Sequence, residues 1–258
     1  MARILMVVSA ADSLTMKDGT EHPTGYWAEE LVVSHRLLSE AGHTVNIATP
    51  GGKKPTVDAV SLTAESAGSQ QKADDFTAYL AEIDAELSHP FVLSEVDASY
   101  FNAIVLPGGH GPMADLATDS DLGRLLAEAD RAEIIIAPFC HGPAGLLSAR
   151  NDDGEFAFAG RRLTVFTDEE ELGGGTGDNT PWLVESTLRA NGAIVQTGPA
   201  WASNVVIDGN LISGQNPQSS EAVAKEVLAA LGPAPAGAQD DEAENDADRD
   251  EDVRDDDY

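Results

Sequence analysis

The chain carries a single cysteine, Cys140, in 258 residues. One thiol excludes an intramolecular disulfide and points to the reducing cytoplasm. Long apolar runs are missing as well. No stretch approaches the roughly 20 residues that span a bilayer, so a membrane partner is not expected. The opening "MARILMVVSAAD" is apolar but short and lacks the cleavage site of a secretory signal, so it reads as a first buried strand. Six histidines, at 22, 35, 43, 89, 110 and 141, show no paired spacing with cysteine or carboxylate, and no metal site is expected from them. Neither a Walker-type nor a dinucleotide glycine fingerprint occurs, so the expectation is a protein without a cofactor.

Basic residues are scarce too. The sequence holds 45 Asp and Glu against 15 Lys and Arg, a formal net charge of −30, with only five lysines. Residues 239–258 supply 12 acids and two arginines; without them 33 acids still face 13 bases, −20 over 238 residues. Such a surface repels phosphate backbones and anionic lipid, which argues against nucleic acid as a partner. The acid excess runs through the body, which fits a cytoplasm of molar salt, where the Debye length shrinks to about 3 Å, better than a tail made for basic partners. The like-charge block at the end is expected to be disordered. The organisation read from this is a domain over 1–232, then an acidic tail over 233–258 that begins at "GPAPAGAQ".

What is present is alternation. "RILMVV" (3–8), "TVNIAT" (44–49), "AIVLP" (103–107), "EIIIAP" (133–138) and "RLTVF" (162–166) read as buried strands. Helical spacing covers 28–41, 73–88, 120–130, 142–149, 181–191 and 218–231, the first ending at a glycine stop, Gly42. Strands alternating with helices predict an α/β fold with a parallel sheet covered on both faces. Residues 51–101 break the alternation and read as an inserted flap or subdomain near the strand ends. Asp208-Gly209 inside "NVVIDGNLISG" is a strong hairpin signal.

The lone thiol sits in "IIIAPFCHGPAGLL" (134–147), where a buried strand meets a helix start. In an open parallel sheet, ligands sit beyond the carboxyl ends of the strands. A tight turn there forces its central side chain into a strained, reachable position, and a following helix N-terminus favours the thiolate. A buried, inert cysteine is the competing reading. "LPGGHG" (106–111) follows the preceding strand, and its glycines let backbone approach a ligand. Amides near Gly109, with that of His141, could hold a developing oxyanion. Glu29 and Glu30 open the first helix at the same sheet edge, and Tyr26, Trp27 and Trp182 are candidate pocket walls. "LGGGTGDNTP" (172–181) reads as a rim loop whose last four residues cap the next helix.

Taken in order, the first strand, the glutamate before Gly42, "LPGGHG" and "CHGPAGLL" resemble the ThiJ/PfpI superfamily, which is flavodoxin-like and related to class I glutamine amidotransferase domains. The 51–101 insertion, the histidine in "GGHG", "FTDEEE" (166–171) and "GPAWASNVVIDGNLISGQNPQS" are most similar to its heat-shock chaperone branch, which includes glutathione-independent glyoxalases. The resemblance runs from about residue 3 to 231. It implies a flavodoxin-like parallel sheet sandwiched by helices, with Cys140 as nucleophile and His141 beside it. The family glutamate, twelve residues before the helix-ending glycine, falls on Glu30. The branch's triad acid, five residues after the phenylalanine of the "FT" strand end, falls on Glu171, with Glu169 and Glu170 close by. Gly108, Gly109, His110 and Trp27 are the matching oxyanion and substrate-binding positions.

The resemblance implies a cofactor-free glyoxalase converting methylglyoxal and water to D-lactate, active as a homodimer. The alternatives it carries are a stress-induced holding chaperone or a protein or nucleotide deglycase, and, more remotely, a peptidase or glutamine amidohydrolase. The charge pattern generates its own test. Urea unfolding midpoints should climb from dilute buffer to molar KCl as screening relieves repulsion among the carboxylates; equal stability in both would refute the salt reading.

Overall fold

The computed structural model describes residues 1–174 and 176–232; the acidic tail expected at 233–258 lies outside the described residues. Seven strands form the central sheet: β1 (Arg3–Val7), β2 (Thr44–Thr49), β3 (Phe91–Val92), β4 (Ala103–Leu106), β5 (Ile135–Pro138), β6 (Val205–Asp208) and β7 (Leu211–Gly214). Their order is β6-β7-β5-β4-β1-β2-β3, parallel throughout except for the antiparallel β6–β7 hairpin. That hairpin turns at Gly209-Asn210, between the paired Asp208 and Leu211 and one residue past the Asp208-Gly209 signal, and Gly209 takes a φ of 62°. A two-residue turn of this kind needs positive φ, which glycine adopts without strain.

Side-chain alternation along the strands sorts the core into two layers. Ile4 and Met6 of β1 face one cluster with Val105 of β4, while Leu5 and Val7 face the other with Ile104 and Leu106. Helix α1 (Ala28–Glu40) and the last helix, α4 (Ser220–Leu231), cover the first face through Leu31, Leu38, Val223 and Val227. Helix α2 (Ser120–Arg131) covers the second through Leu122, Leu125 and Leu126. Both faces of the central strands β1, β4 and β5 are buried, which is why they read as unbroken apolar runs. Helix α1 stops as the sequence signals, with Gly42 at φ 82° just past its end.

The 51–101 insertion folds into helices at Gln70–Glu82 and Asp84–Ser88, then joins the sheet as the edge strand β3. Phe76, Leu80, Ile83 and Leu87 pack into the α1 layer. Its first residues lie over the α1 entry, where Thr56 O accepts from Tyr26 N (2.9 Å) and Ser61 Oγ from Ala28 N (3.0 Å).

Two elements differ from expectation. Only Arg162–Leu163 of the 162–166 run is strand, and it pairs with Ile194–Val195 in a separate ribbon. Beyond it the chain docks on the sheet one bond at a time: Thr164 N donates to Ser213 Oγ (2.8 Å) and Phe166 N to Cys140 O (2.9 Å). The segment after the cysteine, Gly142–Ser148, is a 3₁₀ helix and not an α-helix. It is jammed against β4, for a Cβ at Gly142 would stand 2.1 Å from Leu106 O and one at Gly145 about 3 Å from the Leu122 and Leu106 methyls. Gly142→Ala should therefore lose about 1–3 kcal/mol through overpacking. A chemical-denaturation midpoint equal to that of the parent would contradict this packing.

Candidate active site

The carboxyl ends of β1, β4 and β5, neighbours in the sheet, deliver the candidate residues to one edge. β5 ends at Pro138, and Cys140 two residues on adopts a φ of +56°. Such a conformation is unfavourable for a side-chain-bearing residue and persists only when its surroundings enforce it. Here Cys140 N donates to Gly214 O (3.0 Å) while Cys140 O accepts from Phe166 N (2.9 Å). The turn is as sharp as the sequence suggests, but the cysteine is only 3 % exposed.

Glu30 is fully buried on the first turn of α1. Its Oε2 accepts from Gly108 N at 2.6 Å, whereas Oε1 has no hydrogen-bond partner within normal limits among the described residues. Burial pushes the carboxyl up to about 8, and hydrogen bonding to Cys140 and to the Gly108 amide offsets only part of that rise. At neutral pH Glu30 is thus a carboxylic acid. Because Oε2 accepts, the proton belongs on the unpartnered Oε1.

Burial also pushes the Cys140 thiol well above its ordinary value. An ionised Glu30 would raise it further, and the amides of Gly109 and His141 oppose the rise only in part. This corrects the expectation of a resting thiolate. The following turn is a short 3₁₀ helix with a weak dipole, and desolvation outweighs it. The thiol must instead hand its proton to a base, and one stands at hand: His141 Nδ1 is 3.3 Å from Sγ.

His141 is fixed at both nitrogens. Its Nε2 lies 2.7 Å from Glu171 Oε2. Burial, with His110 nearby, lowers its pKa despite the two acids beside it, so it is neutral at pH 7. Glu171 sits on α3 (Asp168–Gly173). Burial alone would raise this carboxyl, but hydrogen bonds from His110 and His141 outweigh it and hold the group far below the usual carboxylate range. An ionised Glu171 accepts only, so the Nε2 protons point at it and His141 Nδ1 is left as a lone pair facing the thiol. The adjacent Glu170 has a different task. Its Oε1 binds Trp201 N (2.7 Å) and Asn216 Nδ2 (2.8 Å), and its Oε2 caps α3 at Thr167 N (2.9 Å).

The other expected positions divide. His110 Nε2 lies 3.1 Å from Glu171 Oε1 and thus belongs to the Glu171 cluster. Gly109 takes a φ of 88°, and a Cβ there would stand 2.4 Å from Gly25 O; its amide acts on the sulfur together with that of His141. Gly108 does not match its assignment as an oxyanion donor, since its N–H is bound to Glu30 and its role is positional. Trp27 enters through its backbone, N–H to Gly108 O at 3.0 Å. Tyr26 is core, and Trp182 lines a separate cavity of about 730 Å³ with Asp12, Ser13, Lys53 and Met113.

Sequence reasoning missed the shell around this line. Thr176 and Thr180 hydroxyls donate to Glu171 Oε1 (2.6 and 3.0 Å), although "DNTP" had read as a helix cap. The next helix begins only at Val184. Phe166 lies against His141 with ring centroids 4.6 Å apart. The spacing along the chain shows no metal-ligand pattern, yet one ligand atom each of His110, His141 and Glu171, from three segments, lie within 4.8 Å of one another.

Comparison with known proteins agrees with this architecture. The model of the DJ-1/PfpI family matches residues 23–230, so the chain belongs to that family. The bovine (Bos taurus) glutamine amidotransferase-like class 1 domain-containing protein 1 is 29 % identical over 74 % of this chain and 82 % of its own length. The protein/nucleic acid deglycase HchA of Pseudomonas aeruginosa is 25 % identical over 86 % of this chain and 78 % of its own. The crystal structure of glyoxalase III from Candida albicans superposes with a TM-score of 0.77 at 22 % identity, covering 89 % of this chain and 97 % of that one. No helix among the described residues is long and apolar enough to cross a membrane.

The Glu30 protonation state has a thermodynamic signature. The unfolded carboxyl loses its proton near 4.5 and the folded one near 8, so the unfolded state binds fewer protons in between and stability falls as pH rises through that window. Glu30→Gln keeps the acceptor for Gly108 N and removes the titration. Relative to the parent, the variant should gain about 2–4 kcal/mol between about pH 5 and pH 8 in urea unfolding. Parallel pH profiles would rule out the buried acid.

Proposed function

We propose that this member of the DJ-1/PfpI family is a glutathione-independent glyoxalase that isomerises and hydrates methylglyoxal to D-lactate with Cys140 as nucleophile. One observation carries the reading: the Cys140 sulfur lies 3.3 Å from His141 Nδ1, whose Nε2 is held 2.7 Å from Glu171, and the buried Glu30 carboxyl beside it is pushed up to about 8. That is the set of groups a thiol–aldehyde addition and a carbon-to-carbon proton shift require.

In the first step His141 Nδ1 takes the thiol proton as sulfur adds to the aldehyde carbon, and the carbonyl oxygen, near the Gly109 and His141 amides, receives a proton. The product is a hemithioacetal. A base then removes the proton on that carbon; Glu30, once it has donated its own proton, is poised for this. The enediol is reprotonated on the neighbouring carbon and becomes a lactoyl thioester. Water hydrolyses the thioester, releasing lactate and restoring the thiol, so that one methylglyoxal and one water give one lactate. Glu171 holds the imidazole orientation throughout.

The same machinery suits deglycation, the activity in the name of the Pseudomonas relative. Burial of the cysteine favours the smaller substrate, because an adduct on a folded protein must bring its carbonyl carbon to a sulfur 3 % exposed. Cys140→Ala should reduce lactate formation from methylglyoxal, without glutathione, by about 10³-fold or more with an unchanged circular dichroism spectrum. Retained turnover in that variant would end the reading.

A further inference from the structure

A thiol–imidazole–carboxylate line needs one histidine on its carboxylate; Glu171 has two. His110 Nε2 lies 3.1 and 3.2 Å from its oxygens, and His141 Nε2 lies 2.7 Å from Oε2. One ligand atom from each of the three residues falls within 4.8 Å of the other two. A tetrahedral ion with nitrogen and oxygen ligands at about 2.0–2.2 Å holds them about 3.3 Å apart, so shifts on the order of 1 Å would seat all three. Each of the three residues is buried. Thr176 and Thr180 already brace Glu171 Oε1 by hydrogen bonds, the outer support that fixes a metal-binding carboxylate. Two imidazoles and one carboxylate suit zinc and its neighbours, whereas Ca2+ and Mg2+ call for oxygen ligands. A protein of net charge −30 also concentrates cations around itself.

We propose that His110, His141 and Glu171 form a binding site for a divalent transition ion of the zinc type, and that its occupation switches off the thiol. The switch rests on the glyoxalase reading; the binding does not. Coordination uses the Nε2 lone pair, so the neutral His141 moves its proton from Nε2 to Nδ1. In His141 no proton is lost and no bond to carbon or sulfur changes. In His141 the nitrogen 3.3 Å from Cys140 Sγ then becomes an N–H donor and can no longer accept the thiol proton. The ion and the productive tautomer are mutually exclusive.

The test titrates the metal-free full-length protein with Co2+, followed by its visible d–d bands, and with Zn2+ by calorimetry. One ion should bind per chain. Cys140→Ser should leave the Co2+ spectrum in place, and exposed His89→Gln should leave the affinity unchanged. His110→Gln, which keeps a hydrogen bond to Glu171 but removes a ligand, should weaken binding by about 100-fold, and so should Glu171→Gln, which serves if the first variant is misfolded. Zn2+ should suppress methylglyoxal turnover and chelation should restore it. Binding that survives both ligand variants, or that vanishes with Cys140, overturns the site. Full turnover of the Zn2+-loaded protein overturns the switch. Loss of turnover in the metal-free protein refutes the glyoxalase reading instead, and the Co2+ spectrum still decides the site.

Discussion

Two backbone hydrogen bonds hold Cys140 where an L-residue does not go by itself. Gly214 O takes its N–H and Phe166 N takes its carbonyl, one partner from the end of β7 and the other from the chain that leaves the small ribbon. A positive φ costs about 1–3 kcal/mol, and two buried backbone bonds at about 1 kcal/mol each are of the same size. The strain is thus tolerated only while the β7 edge and the 164–166 segment stay in place. This ties the site to the late hairpin: β7 lies beside β5, and Phe139 bridges to Gly214 directly. Loosening the hairpin would relax the turn and move the sulfur away from both of its proton partners.

Once the turn is set, burial divides the two carboxyls by their partners. Glu30 receives one amide bond and faces a thiol, so desolvation prevails and it keeps its proton to about 8. Glu171 receives two imidazole N–H groups and two hydroxyls, so hydrogen bonding prevails and it stays ionised. Two acids with opposite protonation on either side of one thiol define a direction for the proton. In the proposed reaction it leaves sulfur toward His141, whose other nitrogen is anchored by negative charge, and it is supplied to substrate from the side of Glu30.

Much of the fold was legible because both sheet faces are buried. β1, β4 and β5 read as unbroken apolar runs, β2 as a β-branched one, and Asp208-Gly209 located its hairpin to within one residue. The ribbon at 162–163 was overread for the same reason: Val165 and Phe166 are as buried as strand residues, but the segment is bonded to the sheet by Thr164 N to Ser213 Oγ and Phe166 N to Cys140 O instead of a ladder. The two-residue β3 was invisible, being too short to show a period. At the site, positions next to local signals were found: Cys140 and His141 by their junction, Glu30 and Glu171 by resemblance in spacing. Thr176, Thr180 and Phe166 were missed because only chain closure brings them to Glu171 and His141. Protonation was the clearest failure. A helix N-terminus next to a cysteine suggests a thiolate, but burial depth, which reverses the sign, is a property of the packed fold.

Depth and chemistry are linked in the same way. A thiol ionised at rest in a carboxylate-rich protein would be open to every electrophile and oxidant that reached it. In the proposed reaction the sulfur, 3 % exposed, keeps its proton until a carbonyl carbon arrives and His141 can accept the proton in the same step. The raised pKa also makes the thiolate, when it forms, a stronger nucleophile than a low-pKa one. What the site gives up in standing thiolate it recovers in reactivity per event, provided the imidazole is neutral, correctly tautomeric and held on Glu171. Each of those three conditions is met by a contact to a segment distant in sequence, so the reactivity of Cys140 is a property of the closed fold and not of its local motif.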